Sequence, residues 1–218
     1  MLNKEQGFDS VLWNEESDNY SSRAQYKYNN LESDPIIPFI KKSIEILGHK
    51  KNLNFLDIGC SYGQVIKYLS SIFPNNIYYG IDPGKRSIQI AKESIKNENT
   101  FFEIGCSHNL THKSASIDIV ILRMTLQWIP RKYLIQTISE VDRVLKIGGI
   151  IVVQEFLPNN KHITSISHHN NKHKVFKDDY VKYFINFPWF LELSRKVLMF
   201  DQGEDQQRFL SLVRKNRL

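Results

Sequence analysis

The chain has 218 residues, of which 41% are hydrophobic and 24% charged, as in an ordinary globular domain. No stretch is long and apolar enough to span a bilayer, and residues 1–18 lack the apolar core of a signal peptide. The two cysteines fit no zinc or redox spacing. We therefore expect a cytoplasmic protein without a membrane partner. The formal net charge of +6 admits nucleic acid as a partner, but Lys and Arg are scattered and form no basic stripe with interleaved aromatics, which disfavours it.

The chain begins with a polar segment and a helix. Residues 1–33 are polar and acidic-leaning with several aromatics, which predicts a segment that either folds over a site or frays. Residues 34–47 predict a helix, because Asp34 is a capping residue type and Pro35 suits the first helical position. Isoleucines then recur at helical spacing until Gly48.

Strands and helices then alternate. The predicted strands cover residues 54–58, 77–81, 100–104, 117–122 and 150–156, and the predicted helices cover residues 64–73, 85–96 and 131–145. Near-continuous apolar strands separated by amphipathic helices predict a parallel sheet that is covered on both faces. Ligands of such sheets bind at the carboxyl ends of the strands, so the residues that follow each strand are the candidate site residues.

The last quarter of the chain has a different pattern. Residues 157–177 show no stable periodicity and predict a loop, which at this length is more often functional than idle. A helix is predicted over residues 178–187. Two β-prone runs, residues 191–200 and 208–214, predict an antiparallel hairpin around the turn-like residues 203–205.

Three segments that follow predicted strands look like parts of one small-molecule site. The first strand leads through Asp57 into a turn at residues 59–63, called here the glycine turn, where glycines permit positive φ and close backbone approach. Asp82 follows the second strand, and its carboxylate can accept both hydroxyls of a ribose. Residues 105–108 follow the third strand and could hold an adenine edge.

The segment Leu56-Asp-Ile-Gly-Cys-Ser-Tyr-Gly63 resembles the first signature of the class I S-adenosylmethionine-dependent methyltransferases. Further resemblances cover the family's third- and fourth-strand block, the stretch after its fourth strand and the approach to its fifth strand, at residues 104–110, 116–121, 126–130 and 140–149. Four motifs in this order and spacing are a specific signal, whereas the glycine turn alone would be weak.

The resemblance implies a fold and a domain layout. The fold would be α/β, with a Rossmann-like, doubly wound, mostly parallel seven-stranded sheet and a C-terminal antiparallel hairpin. Residues 1–33 would form an N-terminal lid segment. Residues 34–218 would form the methyltransferase domain, with a lid loop at residues 157–178.

The resemblance also implies S-adenosyl-L-methionine as cofactor. The residues that it assigns to this cofactor, together with two from the lid segment and one after the fourth strand, are Asp57, Gly59, Cys60, Ser61, Gly63, Asp82, Pro83, Cys106, Ser107, Tyr20, Arg23 and Arg123. Two positions depart from the family. Cys106 stands where an aspartate often accepts the adenine amino group, and a thiol is a poor acceptor, so the backbone or Ser107 would have to hold the base. Ser61 replaces the middle glycine of the turn.

Several of these residues have plainer explanations that the sequence leaves open. Asp57 could cap the following turn, and Asp82 could be a turn aspartate before Pro83. Both cysteines suit the packing of small apolar side chains. Arg123 suits a surface ion pair as well as it suits a site.

The segment after the fourth strand narrows the acceptor. It reads Leu-Arg-Met-Thr-Leu-Gln-Trp-Ile-Pro at residues 122–130, without the Asn/Asp-Pro-Pro-Tyr/Phe motif of amino-methylating nucleic-acid enzymes, and neither cysteine follows a proline. We therefore expect an O-methyltransferase for a small hydroxylated or carboxylated metabolite, and the basic loop would suit an anionic one. His168, His169 and Asp179 are the candidate bases, and no metal is expected. An RNA methyltransferase, or a binding module that keeps the cofactor without catalysis, remain alternatives.

Overall fold

The computed structural model describes residues 31–48, 51–165, 174–198 and 207–217. A 3₁₀-helix (Leu31–Ser33) precedes the helices α1 (Ile36–Ile46), α2 (Gln64–Ile72), α3 (Lys85–Ser94), α4 (Arg131–Val144) and α5 (Lys182–Ile185). The strands are β1 (Asn54–Ile58), β2 (Ile77–Asp82), β3 (Thr100–Ile104), β4 (Ile117–Arg123), β5 (Leu145–Phe156), β6 (His162–Ser165), β7 (Lys174–Lys177), β8 (Phe190–Leu198) and β9 (Arg208–Lys215). A second 3₁₀-helix, Leu126–Trp128, follows β4.

Seven strands form one sheet in the order β3-β2-β1-β4-β5-β9-β8. The strands β1 to β5 pair in parallel, while β9 pairs antiparallel with both β5 and β8. This arrangement confirms the expected doubly wound, mostly parallel sheet with its C-terminal hairpin. The strand order reverses between β1 and β4, and ligands of open parallel sheets bind beside such a switch point.

Alternate residues of the strands supply two hydrophobic layers, one on each face of the sheet. On one face, Ile119 and Ile121 pack with the apolar sides of α1, α2 and α3. On the other face, Val120 and Leu122 pack with α4 and with Phe184 of α5. None of the described helices is long and apolar enough to cross a membrane.

The sequence-based prediction of a loop at residues 157–177 is wrong for two four-residue segments, which are strands. His162–Ser165 and Lys174–Lys177 pair as an antiparallel hairpin, in which Ile163 lies opposite Phe176 and Thr164 opposite Val175. Strands of four residues are too short for a period of two to stand out among polar neighbours. Residues 166–173 lie outside the described residues.

Three other boundaries differ from the prediction. The helix expected over residues 178–187 is a single turn, Lys182–Ile185. The fifth strand begins five residues early, since Leu145 already pairs with Ile117 and the glycine pair 148–149 lies within an irregular stretch of the strand. One residue at the end of the predicted lid segment is part of the core, since Leu31 is buried against the first hydrophobic layer.

Candidate functional site

The glycine turn begins where β1 ends. Gly59 and Gly63 have φ values of 77° and 72°, the left-handed region that only glycine enters without strain, and Ser61 enters it with a φ of 50°. The N–H groups of Gly59 and Cys60 both donate to the carbonyl of Ile81 in β2, at 2.8 and 3.0 Å. The turn is therefore anchored on its neighbouring strand, and Gly63 leads directly into α2.

Asp82, the last residue of β2, braces the glycine turn. Its Oδ2 accepts the N–H of Ser61 at 2.9 Å, and its Oδ1 accepts the N–H of Gly84 at 2.8 Å. Burial raises the pKa of Asp82 to about 6, although these two N–H groups act to lower it. A carboxylate has about four acceptor positions, so both oxygens retain capacity for a ligand after these two bonds.

Asp57 lies beside Asp82 and is only 3% exposed. Burial raises the pKa of Asp57 to about 7, while Arg123 lowers it and Asp82 raises it further. Two neighbouring carboxyl groups with raised pKa values, one buried and one partly buried, are typical of a functional site that gains from a nearby positive charge.

Arg123 at the end of β4 fits both explanations that the sequence left open. Its Nε donates to Oε1 of Gln154 at 3.1 Å, and its guanidinium forms an ion pair with Asp34. Asp34 also accepts the N–H of Ile36 at 3.0 Å, as the predicted capping residue would. Arg123 therefore ties the start of α1 to the sheet while its charge acts on the pKa of Asp57.

The segment after β3 brings Cys106 into the same neighbourhood. Burial and then the charge of Asp82 raise the pKa of the Cys106 thiol. Ser107, in contrast, is buried, and its hydroxyl is 2.9 Å from that of Thr137 in α4. The side chain of Ser107 thus packs the segment onto α4.

A pair of residues on α4 fixes the rest of the β3–β4 connection. Glu140 accepts the N–H of Leu110 at 2.8 Å, and Arg143 donates to the carbonyls of Leu110 and His112 at 2.9 and 2.7 Å. Glu140 and Arg143 also form an ion pair with each other. The motif at residues 140–149 therefore holds a loop that has no helix of its own to anchor it.

The remaining predicted residues have different positions. Cys60 is buried, and a Cβ at Gly80 would lie 2.8 Å from its sulfur, so its side chain packs in the core. Pro83 lies in the bend between Asp82 and α3. Tyr20, Arg23, His168 and His169 lie outside the described residues, and their roles stay predictions.

Asp179 has a partner that the sequence did not reveal. Its two carboxylate oxygens accept N–H groups of Arg195 in β8 at 2.8 and 3.1 Å. This ion pair ties the turn before α5 to β8. The prediction that Asp179 is a base stays a prediction.

Two sets of residues at the carboxyl edge were missed by the sequence reasoning. One comprises Glu155 of β5 and Thr125, which lies in the turn at residues 124–128, called here the β4 turn; the Thr125 N–H donates to the Glu155 carboxyl at 2.6 Å. An acidic residue within an otherwise apolar strand was the available signal. The other set, called here the basic cluster, consists of Arg131, Lys177 and Arg208, packed on the rings of Phe156 and Phe176. These residues are distant in sequence, so no local pattern marks them.

A groove of about 540 Å³ lies elsewhere, against β2, β3 and the β3–β4 connection. It is lined by Tyr79, Phe101 and His112 among others, and it includes none of the predicted site residues. Within the described ranges, no group of three or more His, Cys, Asp and Glu side chains is placed to hold a metal ion.

Comparisons with known proteins agree with this geometry. A family model described as a methyltransferase domain matches residues 56–153. The chain is 26% identical over 201 residues to protein 235L of Invertebrate iridescent virus 6, which is named as a methyltransferase. The alignment covers 90% of this chain and 68% of that protein. It is 34% identical over 117 residues to the ubiquinone/menaquinone biosynthesis C-methyltransferase UbiE of Campylobacter jejuni, covering 51% of this chain and 48% of that enzyme.

A third relative is named for a different acceptor. The tRNA N(3)-methylcytidine methyltransferase of Schizosaccharomyces pombe is 30% identical over 118 residues, covering 50% of this chain and 47% of that enzyme. The chain thus spans about half the length of these two cellular relatives.

Solved structures show the same fold. The S-adenosylmethionine-dependent methyltransferase of Methanosarcina mazei superimposes with a TM-score of 0.64 at 19% identity, covering 77% of this chain and 94% of that one. The N-methyltransferase NodS of Bradyrhizobium japonicum, in complex with S-adenosylhomocysteine, superimposes with a TM-score of 0.60 at 15% identity, covering 91% of this chain and 98% of that one. With its glycine turn, the carboxylate after β2 and the sheet order, the chain has the fold of the class I S-adenosylmethionine-dependent methyltransferases, and its residues 56–153 match the methyltransferase domain.

Proposed function

We propose that this protein transfers the methyl group of S-adenosylmethionine to an oxygen atom of a small anionic molecule. The observation that carries the proposal is the hydrogen bond from the Ser61 N–H to Asp82, which joins the glycine turn to the carboxylate after β2. The cofactor would supply an electrophilic methyl group on a positively charged sulfur.

The residues present fit this cofactor. Asp82 retains acceptor positions for two ribose hydroxyls after its two backbone bonds. The buried Asp57 carboxyl, with its raised pKa, favours a ligand that brings an ammonium or sulfonium charge close to it. The lid that we predicted from residues 1–33, with Tyr20 and Arg23, would complete the enclosure and exclude water.

The basic cluster supports an anionic acceptor. Lys177 is only 4% exposed, and its ammonium lies 4.2 Å from the centre of the Phe156 ring. The guanidinium of Arg208 lies 5.2 Å from the same ring, and that of Arg131 lies 4.7 Å from the centre of the Phe176 ring. Since β7 packs against the 3₁₀-helix that follows β4, these cations border the region where the acceptor would lie.

Transfer to oxygen follows from the type of acceptor. A carboxylate or an acidic phenol is already ionised or close to it, so the protein mainly has to align the oxygen with the methyl group and keep water out. A strong base is then unnecessary, which agrees with the ion-paired state of Asp179. His168 and His169 stay candidate bases for a hydroxyl acceptor.

Two measurements test the proposal. Calorimetric titration with S-adenosylhomocysteine should show one site per chain, and absence of binding would contradict the cofactor assignment. Incubation with methyl-labelled cofactor and a panel of small carboxylates, phenols and their neutral esters should label the anions, and NMR of the product should place the methyl group on oxygen. The Campylobacter enzyme is named as a C-methyltransferase. A methyl group found on carbon in this test would contradict the choice of oxygen but not the cofactor assignment.

An RNA acceptor is the second candidate. The net charge of +6 and the similarity to a tRNA methyltransferase favour it. RNA binding that weakens steeply with salt, together with methyl transfer to RNA, would support this alternative. Absence of RNA binding at low salt would remove it.

A further inference from the structure

Glu155 is a fully buried acid whose role the cofactor chemistry does not explain. It is 0% exposed, and it shares the sheet face of Val153, two residues earlier on β5, which packs with α4 and α5. Its Oε1 accepts the N–H groups of Thr125 and Leu126, each at 2.6 Å, and the Gln127 N–H also bonds to the carboxyl. Its Oε2 is buried and has no hydrogen-bond partner among the described residues.

The three N–H groups belong to the β4 turn, and this turn touches the glycine turn. The Thr125 hydroxyl donates to the carbonyl of Ile58 at 2.9 Å. A Cβ at Gly59 would lie 2.5 Å from the Thr125 oxygen and 2.8 Å from its methyl group, so Thr125 occupies the space that the glycine leaves free.

The β4 turn also has a conformation that needs support. Met124 has a φ of 54°, in the left-handed region that side chains other than glycine rarely enter. Its N–H donates to the carbonyl of Gln154 at 2.7 Å. Two consecutive residues of β5, the backbone of Gln154 and the side chain of Glu155, therefore hold this turn from one side.

We infer that Glu155 is a positioning residue, which holds the β4 turn so that Thr125 sets the place of the glycine turn and hence of the cofactor. Without its carboxyl oxygen, three consecutive N–H groups would lose their acceptor, two of them on the buried residues Leu126 and Gln127, and the turn would leave its strained conformation. The inference rests on the proposed function only for its cofactor-affinity readout, because the order of the β4 turn can be measured without any ligand.

The protonation state of Glu155 decides which variant is conservative. Burial raises the pKa of Glu155 to about 8, although the backbone N–H groups and then Arg208 act to lower it. The neutral acid is therefore the main form at neutral pH. A glutamine keeps the carbonyl acceptor and replaces the O–H by an N–H, so Glu155→Gln should preserve the turn, whereas Glu155→Leu should not.

The test compares these two variants with a matched control. Asp118 is a 9% exposed carboxyl that accepts the Asn54 N–H at 2.8 Å, at the opposite, amino end of the same sheet. We expect Glu155→Leu, which loses the hydrogen-bond acceptor, to weaken S-adenosylhomocysteine binding at least about tenfold. Glu155→Gln keeps an acceptor and should leave the affinity within about threefold of the unaltered protein. Asp118→Leu should lower the melting temperature without changing this affinity.

Amide hydrogen exchange without ligand completes the test. Residues 124–128 and 59–63 should lose protection in Glu155→Leu and keep it in Glu155→Gln. Unchanged exchange and affinity in a folded Glu155→Leu would overturn the inference, as would an equal loss of affinity in Asp118→Leu. If Glu155→Leu does not fold, the variant Thr125→Val takes its place, because it removes only the hydroxyl link between the β4 turn and the end of β1. Unchanged amide exchange of the glycine turn in Thr125→Val would then overturn the inference. Failure of the unaltered protein to bind S-adenosylhomocysteine would count against the proposed function instead.

Discussion

The carboxyl edge of the sheet has two halves of opposite charge. Over β1 and β2 it holds two acids, the buried Asp57 and the partly buried Asp82, and desolvation raises the pKa of each. Over β5, β7 and β9 it holds the basic cluster, packed on two aromatic rings. A donor that carries positive charge and an acceptor that carries negative charge would each find a complementary half. The net charge of the chain does not reveal this division.

The strand between the two halves keeps them apart. β4 lies between β1 and β5, and it carries Arg123, which pairs with Asp34 and acts on Asp57. The β4 turn that follows is held by Glu155 on one side and touches Gly59 on the other. The same turn therefore contacts both halves, which makes its position important for the alignment of donor and acceptor.

Replacement of Asp82 in the acidic half should reduce cofactor affinity more than any other change proposed here. Asp82→Ala would remove the two proposed ribose contacts, and it leaves the Ser61 N–H without its acceptor. We therefore expect S-adenosylhomocysteine affinity to fall about 100-fold, as for two charge-assisted hydrogen bonds. Asp82→Asn, which keeps one acceptor oxygen, should lose about tenfold. Calorimetry with Asp118→Ala as control measures both, and wild-type affinity in Asp82→Ala would contradict the assignment.

Replacement of Lys177 should affect the basic half alone. Lys177→Met keeps the apolar contact with Phe156 and removes the charge, so the KM for anionic acceptors should rise about tenfold while cofactor affinity stays unchanged. Steady-state kinetics with matched anionic and neutral acceptors provide the measurement. Lys146→Met, which removes a cation paired with Asp118 far from this edge, serves as control. An equal change in KM for both acceptors would show that charge recognition is not the cause.

The smallest expected effect is a pH dependence of cofactor binding. The folded-state pKa values of about 7 for Asp57 and about 6 for Asp82 lie above the ordinary value of 3.8. A ligand with an ammonium group favours the ionised carboxylates, so binding should release protons, and affinity should rise severalfold between about pH 5.5 and about pH 7.5. Calorimetry in buffers of different ionisation enthalpy counts the protons, and Asp57→Asn should flatten the profile. Proton uptake on binding would contradict the prediction.

The stability of the ligand-free protein should change with pH in the opposite direction to the cofactor affinity. Because the folded pKa values exceed the unfolded ones, the folded state binds more protons between about pH 4 and about pH 7, and the free energy of unfolding should fall as pH rises through this window. Thermal unfolding of the ligand-free protein measures it. The same two carboxyls would thus destabilise the free protein and favour the bound one.

The sequence marked the residues of the acidic half better than those of the basic half. The glycine turn, Asp57 and Asp82 lie next to parallel strands, where a strand end, a turn and a helix start are consecutive in the chain, so local pattern suffices. Lys177, Arg208 and Arg131 come from β7, β9 and α4, and only packing brings them to the same two rings. The ion pair of Asp179 with Arg195 was not predicted for the same reason, since Arg195 lies on a strand that the sequence does not place beside Asp179.

Apolar periodicity predicted the parallel sheet covered on both faces, and the resemblance of four motifs implied the methyltransferase fold and its cofactor, because each depends on residues that are close in sequence. The tertiary structure decided which acids are buried together, which cations share an aromatic ring and which side chain holds the β4 turn. Those relations depend on burial and on contacts between distant segments. The hydrogen bonds of Glu155 to Thr125 and Leu126 connect β5 to the β4 turn, and the sequence offers only an acidic residue in a strand as a sign of that role.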